Sequence, residues 1–125
     1  MADNETILRA AIDAITAGDA DAIAEVLAED MVVHVPGRSR VSGTHRGRGA
    51  FGARVREVSG GTLKIEAHDV LGSPDHAVGV YVMRVDAPGR SFAWRHVNVY
   101  HVRAGKIVEV WSNPFEQDEF DAFFS

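Results

Sequence analysis

The sequence predicts an α+β fold, and two observations lead there. Apolar residues recur at helical spacing in the first half of the chain, and from Thr62 onward they alternate with polar residues at period two. Helices therefore come first and an antiparallel meander of four strands follows. At 125 residues, 46 % of them hydrophobic and 25 % charged, the chain is expected to form one domain, residues 1–125, around a single core.

The segment 4–17 places Leu8, Ala11, Ile12 and Ile15 on one helical face, with Asp3 or Asn4 positioned to cap the first turn and Gly18 to end it. Asp19 caps a second short helix whose stripe is Ile23, Val26 and Leu27, and the chain leaves it through Glu29-Asp30. The β-branched run MVVHVPG reads as a short strand closed by Pro36-Gly37. A third helix is expected from about Gly47, burying Phe51, Val55 and Val58, weakened by Gly49 and Gly52 and ended by Gly60-Gly61. The four strands are TLKIEAHDVLG, HAVGVYVMRVDAPG, RSFAWRHVNVYHVRAG and KIVEVWSNP. Turn residues at Ser73-Pro74-Asp75, Ala87-Pro88-Gly89 and Ala104-Gly105 separate them. The acidic, aromatic tail FEQDEFDAFFS reads as a last helical turn or a lid.

Composition removes several function classes. A formal net charge of -5 argues against general nucleic-acid binding, which needs a positive footprint. Without cysteine there is no disulfide, thiolate nucleophile or Cys-based zinc site. The histidines lack metal-ligand spacing, so neither metal nor other cofactor is expected. The start MADNETILRA lacks the basic and apolar regions of a signal peptide, and no apolar run reaches membrane-spanning length, so a cytoplasmic location is expected.

One stretch stands out against the acidic background. HVPGRSRVSGTHRGRG, from His34 to Gly49, carries four arginines and no carboxylate. Two readings remain open. Thr44 to Arg48 could open a helix whose N-terminus, with Arg38 or Arg46 at a pocket mouth, holds a substrate anion. Alternatively these arginines face solvent and pair with the acids of the first two helices and the tail, contacts worth about 0–1 kcal/mol each. GxxxxGK[ST] is absent, so nucleotide binding is not supported.

Taken in order, AGDADAIAEVLAEDMVVHVPG, SGTHRGRGAF and YHVRAGKIVEVWSNPFEQDEF resemble the SnoaL-like branch of the nuclear-transport-factor-2-like superfamily over nearly the whole chain. The resemblance implies a cone-shaped, curved mixed β-sheet wrapped around N-terminal helices, one deep apolar pocket, and a homodimer through the outer sheet face. It also implies a small apolar or polycyclic substrate. Relatives include ketosteroid isomerase, scytalone dehydratase, polyketide cyclases and limonene epoxide hydrolase, and some members have no known catalysis. The fold supplies a container, and chemistry must be argued from side chains.

The familiar mechanisms each lose a part here. Where the ketosteroid-isomerase pattern has its base, this chain has Val35; its helical tyrosine falls near Ala11 and its strand acid near Asn98. The polyketide-cyclase aspartate after the last-strand tryptophan is replaced by Ser112, and no pair of inward aspartates suits the epoxide-hydrolase pattern.

Alternation along FAWRHVNVYHV puts Trp94, His96, Asn98 and Tyr100 on one face and Arg95, Val97, Val99 and His101 on the other. If the Asn98 match holds, the first set lines the pocket. His96 is then a candidate general acid or base, with Asn98 and Tyr100 donating to a carbonyl or oxyanion; such catalysis is typically worth about 10²–10⁴-fold. The plainer reading makes His96 a satisfied strand histidine and Trp94 and Tyr100 pocket wall. His34 is a second candidate, as base or hydrogen-bonding group, or else a histidine that steadies the turn at Pro36. The expected function is an enzyme of secondary metabolism performing acid-base cyclisation, isomerisation or epoxide opening, catalytic through His96, Asn98, Tyr100 and His34. Trp94, Val35, Ser112, Arg38 and Arg46 are its candidate substrate contacts. The alternative is a non-catalytic binding or accessory protein of the same fold.

Overall fold

The structure, a computed structural model, describes residues 3–125. Helix α1, Asn4–Ala17, begins where the Asp3 carboxylate accepts the Thr6 N–H at 2.8 Å and ends at Gly18, whose φ of 66° suits glycine. It buries Ile7, Leu8, Ala11 and Ala14. Ile15, expected on the buried face, is 43 % exposed, because it borders a cavity that the apolar face helps to enclose. Helix α2, Ala20–Val26, is capped by Asp19. Leu27, expected in its stripe, is instead the first residue of β1, Leu27–Val35.

The longer β1 is one of two differences that complete the sheet. The other is β2, Gly43–Arg46, which pairs antiparallel with β1 from Val35↔Gly43 to Val32↔Arg46. These residues were expected to lead into a helix. The backbone amides and carbonyls along one edge of β1 need partners, and this four-residue segment supplies them. Helix α3, Ala50–Ser59, accordingly starts three residues later than expected, after Gly47 and Gly49 have turned the chain at φ of 102° and 81°.

The meander follows as expected: β3 (Thr62–Gly72), β4 (His76–Ala87), β5 (Arg90–Arg103) and β6 (Lys106–Pro114) pair antiparallel in succession. β6 then pairs in parallel with β1, Val33 opposite Val110, giving an open, curved mixed sheet ordered β2-β1-β6-β5-β4-β3. Its inner face carries Val33, Val110, Tyr100, Ala77, Tyr81, Met83 and Trp94 into the core against α1.

The tail forms helix α4, Gln117–Phe123, and it is part of the core. Phe120 and Phe124 are fully buried, with ring centroids 5.4 and 5.8 Å from Trp94. The arginine loop is tied to it through backbone: the Arg40 N–H donates to the Phe124 carbonyl at 2.9 Å and the Arg38 N–H to Asp121 at 3.1 Å. Gly37, at φ of 100°, lies where any Cβ would collide with Asp121 and Gln117. Among the described residues, no helix is long and apolar enough to cross a membrane.

Candidate ligand-binding site

A cavity of about 180 Å³ lies between α1, α3 and the inner sheet face. Its walls are apolar, with Leu8 and Ile12 from α1, Met31 and Val33 from β1, Phe51 from α3 and Met83 from β4. Three polar side chains border it, Asn98 and Tyr100 on β5 and Ser112 on β6, where Asn98 and Ser112 are register partners. Among its lining residues there is no Asp, Glu, His, Lys or Arg.

A hydrogen-bonded chain runs along β5 beneath these groups. The Trp94 indole donates to His96 Nδ1 at 2.9 Å, and His96 Nε2 lies 2.7 Å from Ser112 Oγ and 2.9 Å from Asn98 Oδ1. Asn98 Nδ2 donates to the Tyr100 hydroxyl at 2.9 Å, and that oxygen lies 2.7 Å from the Tyr81 hydroxyl. An indole N–H can only donate. His96 Nδ1 must therefore offer its lone pair, and the ring is neutral with its proton on Nε2. Complete burial holds the His96 pKa down at about 4, with its bond to Asn98 opposing. The expected base role does not suit this geometry, because the ring's only lone pair already faces Trp94. His96 instead acts as a donor that holds Ser112 and Asn98 in place.

The other expected site residues divide by location. Trp94 is 4 % exposed and sits in the aromatic cluster of α4, off the cavity wall. Val35 is buried and borders a shallower depression at the end of β1, shared with His34, Thr44 and Trp111. His34 shares no face with His96. It follows the inward Val33 and so points to the outer face, where Nε2 meets the Glu109 carboxylate at 2.6 Å and the ring stacks on Trp111 at 5.9 Å. The Arg38 and Arg46 residues are exposed and border neither cavity. Among the described residues, side-chain ion pairing of Arg38, Arg40, Arg46 or Arg48 with acids of the first two helices or the tail is not found. Arg48 donates to the Leu27 carbonyl, and Arg54 to the Arg40 carbonyl and Glu57.

Tyr81 is the site residue that sequence reasoning missed. Its signal lay in the inward positions of β4, where Ala77 and Gly79 are small enough to leave room for two tyrosines. Gly79 faces Asn98 in register, and a Cβ there would overlap the Tyr81 ring and hydroxyl.

An open curved sheet with helices over an apolar cavity is the architecture of the nuclear-transport-factor-2-like proteins, a small-molecule-binding fold. Within it the chain belongs to the SnoaL-like domain family, whose model matches residues 8–110. Solved structures agree. A Xanthomonas campestris protein of unknown function with a cystatin-like fold is 31 % identical, with a TM-score of 0.84 over 99 % of both chains. Bal32a, from a soil-derived mobile gene cassette, is 26 % identical with a TM-score of 0.85, covering 98 % of this chain and 96 % of its own. IdmH of Streptomyces antibioticus, a candidate polyketide cyclase, is 21 % identical with a TM-score of 0.66, covering 90 % of this chain and 91 % of its own, and it shares the fold. No curated protein matches the sequence at a significant level.

Proposed function

We propose that this chain binds a small apolar or polycyclic molecule in the inner cavity, with an oxygen of that molecule at Asn98, Tyr100 and Ser112, and that it promotes cyclisation or isomerisation by polarising that oxygen. The observation that carries this reading is the convergence of three hydrogen-bonding side chains in a cavity whose other lining residues are almost all apolar. Without a carboxylate, histidine, lysine or arginine on the wall, the chemistry rests on stabilising developing charge, where a single oriented donor is typically worth about 10²–10³-fold. His96 contributes as the residue that positions two of the donors. IdmH, with the same fold, makes polyketide-type ketones the first substrates to try.

The same absence of Asp, Glu, His, Lys and Arg from the lining favours a second reading, a binding or accessory protein that returns its ligand unchanged. Incubation with polyketide-type ketones separates the two. A Tyr100→Phe or Ser112→Ala variant that binds but turns over about a hundredfold more slowly supports catalysis. Recovery of every bound ketone unchanged by the parent protein supports the binder.

A homodimer through the outer sheet face belongs to this proposal. Val78, Val80, Val97, Val99 and Trp111 are all half-buried there, an apolar face suited to a second copy. Sedimentation as a monomer at micromolar concentration would remove the dimer and leave the cavity reading intact.

A further inference from the structure

The protons of the buried chain can be counted, and the count is one-sided. Trp94 fixes His96 with its proton on Nε2. Asn98 must then turn its oxygen to His96, because an amide N–H there would meet an N–H. Its Nδ2 therefore faces Tyr100, which accepts one of its two protons. Ser112 Oγ, 2.7 Å from the same His96 nitrogen, must accept as well, which leaves the Ser112 proton unspent.

Tyr81 closes the count at the other end. Its hydroxyl is buried and bonds only to that of Tyr100 among the described residues. Donation from Tyr100 to Tyr81 would strand the Tyr81 proton in an apolar interior, at a cost of about 1–3 kcal/mol. Tyr81 therefore donates. Tyr100 then accepts from both Asn98 and Tyr81, and its own proton is free. Burial pushes the Tyr100 pKa up to about 12, so the hydroxyl keeps that proton at neutral pH.

We infer that the polar end of the cavity is a donor-rich site, in which Ser112 O–H, Tyr100 O–H and the second Asn98 N–H together favour a ligand oxygen that accepts without donating: a ketone, a quinone or, best, an enolate or phenolate. This deepens the proposed function and rests on the cavity being the binding site. Tyr100 already accepts two bonds, and Ser112 Oγ and Asn98 Oδ1 share the one His96 proton, so donors outweigh the acceptor capacity left there and an ammonium or a hydroxyl that must donate is the poorer match. Trp94 and Tyr81 are positioning residues, each fixing the direction of a bond they do not share with the ligand.

The test uses bicyclic probes of similar size: naphthalene, 1-tetralone, protonated 1-aminotetralin and 2-naphthol. Tetralone is expected to bind about tenfold or more tighter than naphthalene, and aminotetralin more weakly than either. Bound 2-naphthol, followed by absorbance, should ionise at a pH lower by about one unit or more, since charge-assisted bonds favour the naphtholate. Tyr81→Phe removes one bond to Tyr100 while keeping the ring, and should shrink that shift while leaving naphthalene affinity unchanged. A merely structural role for Tyr81 would move both together and would overturn its assignment. If naphthalene binds but aminotetralin matches tetralone, or the naphthol pKa does not fall, the cavity reading stands and the donor-rich assignment fails. If none of the four probes binds, the cavity reading falls and takes this inference with it.

Discussion

The two faces of β5 and its neighbours hold histidines in opposite circumstances. His96, on the inner face, is 0 % exposed, and both of its ring nitrogens are engaged by buried side chains. His34, across the sheet, has a side chain 35 % exposed and meets a Glu109 side chain 36 % exposed. One residue of parity along a strand separates a group that organises a cavity from one that decorates a surface. Its effect on energetics should be as large as its effect on chemistry.

The largest expected effect is at His96. Removing its ring should leave Trp94 N–H and Asn98 Oδ1 unpaired beside a new void, so His96→Ala is expected to lose roughly 3–5 kcal/mol in urea unfolding. Acid gives a related readout on the unaltered protein. The folded His96 pKa of about 4 lies below the ordinary 6.5, so between those values the unfolded chain takes up a proton that the folded chain refuses. Stability from this residue is complete above about pH 6.5 and falls as pH drops toward 4, by about 3 kcal/mol in all. A flat stability profile across that window would sink the neutral-His96 assignment.

Smaller perturbations sharpen the contrast. Gly79→Ala pushes against Tyr81 inside the packed face and should cost roughly 1–3 kcal/mol while also weakening tetralone binding. On the outer face, His34→Ala removes one partly exposed contact with Glu109, and denaturant midpoints should show a loss of no more than about 1 kcal/mol. An outer-face loss equal to that at His96 would mean that exposure does not set the difference.

Much of this arrangement was legible beforehand. Alternation placed Trp94, His96, Asn98 and Tyr100 on one face and Val97 and Val99 on the other, and the turn residues marked all four meander strands. What pattern could not supply was pairing across distance. β2 is four residues long and polar, so only the open edge of β1 makes it a strand. His34 looked like a partner for His96 because both are strand histidines, yet the inward valines on either side, Val33 and Val35, already implied that it points outward. The donor role of His96 depends on which atom Trp94 meets. That is a matter of rotamer and packing, which no local spacing encodes.

The parallel pairing of β1 with β6 also sets an order of assembly. His34 and Glu109 lie 75 residues apart, so β1 leaves the ribosome long before the strand that covers its second edge. Such distant pairings slow folding, because the closure entropy is lost before the contact forms. Ile107, Val110 and Ser112, all on β6, form part of the cavity wall, and Phe120 and Phe124 behind them seal the aromatic end. Nascent chains stalled before Lys106 should therefore remain sensitive to protease and unable to hold a naphthalene probe. The cavity exists only once its last strand has been made.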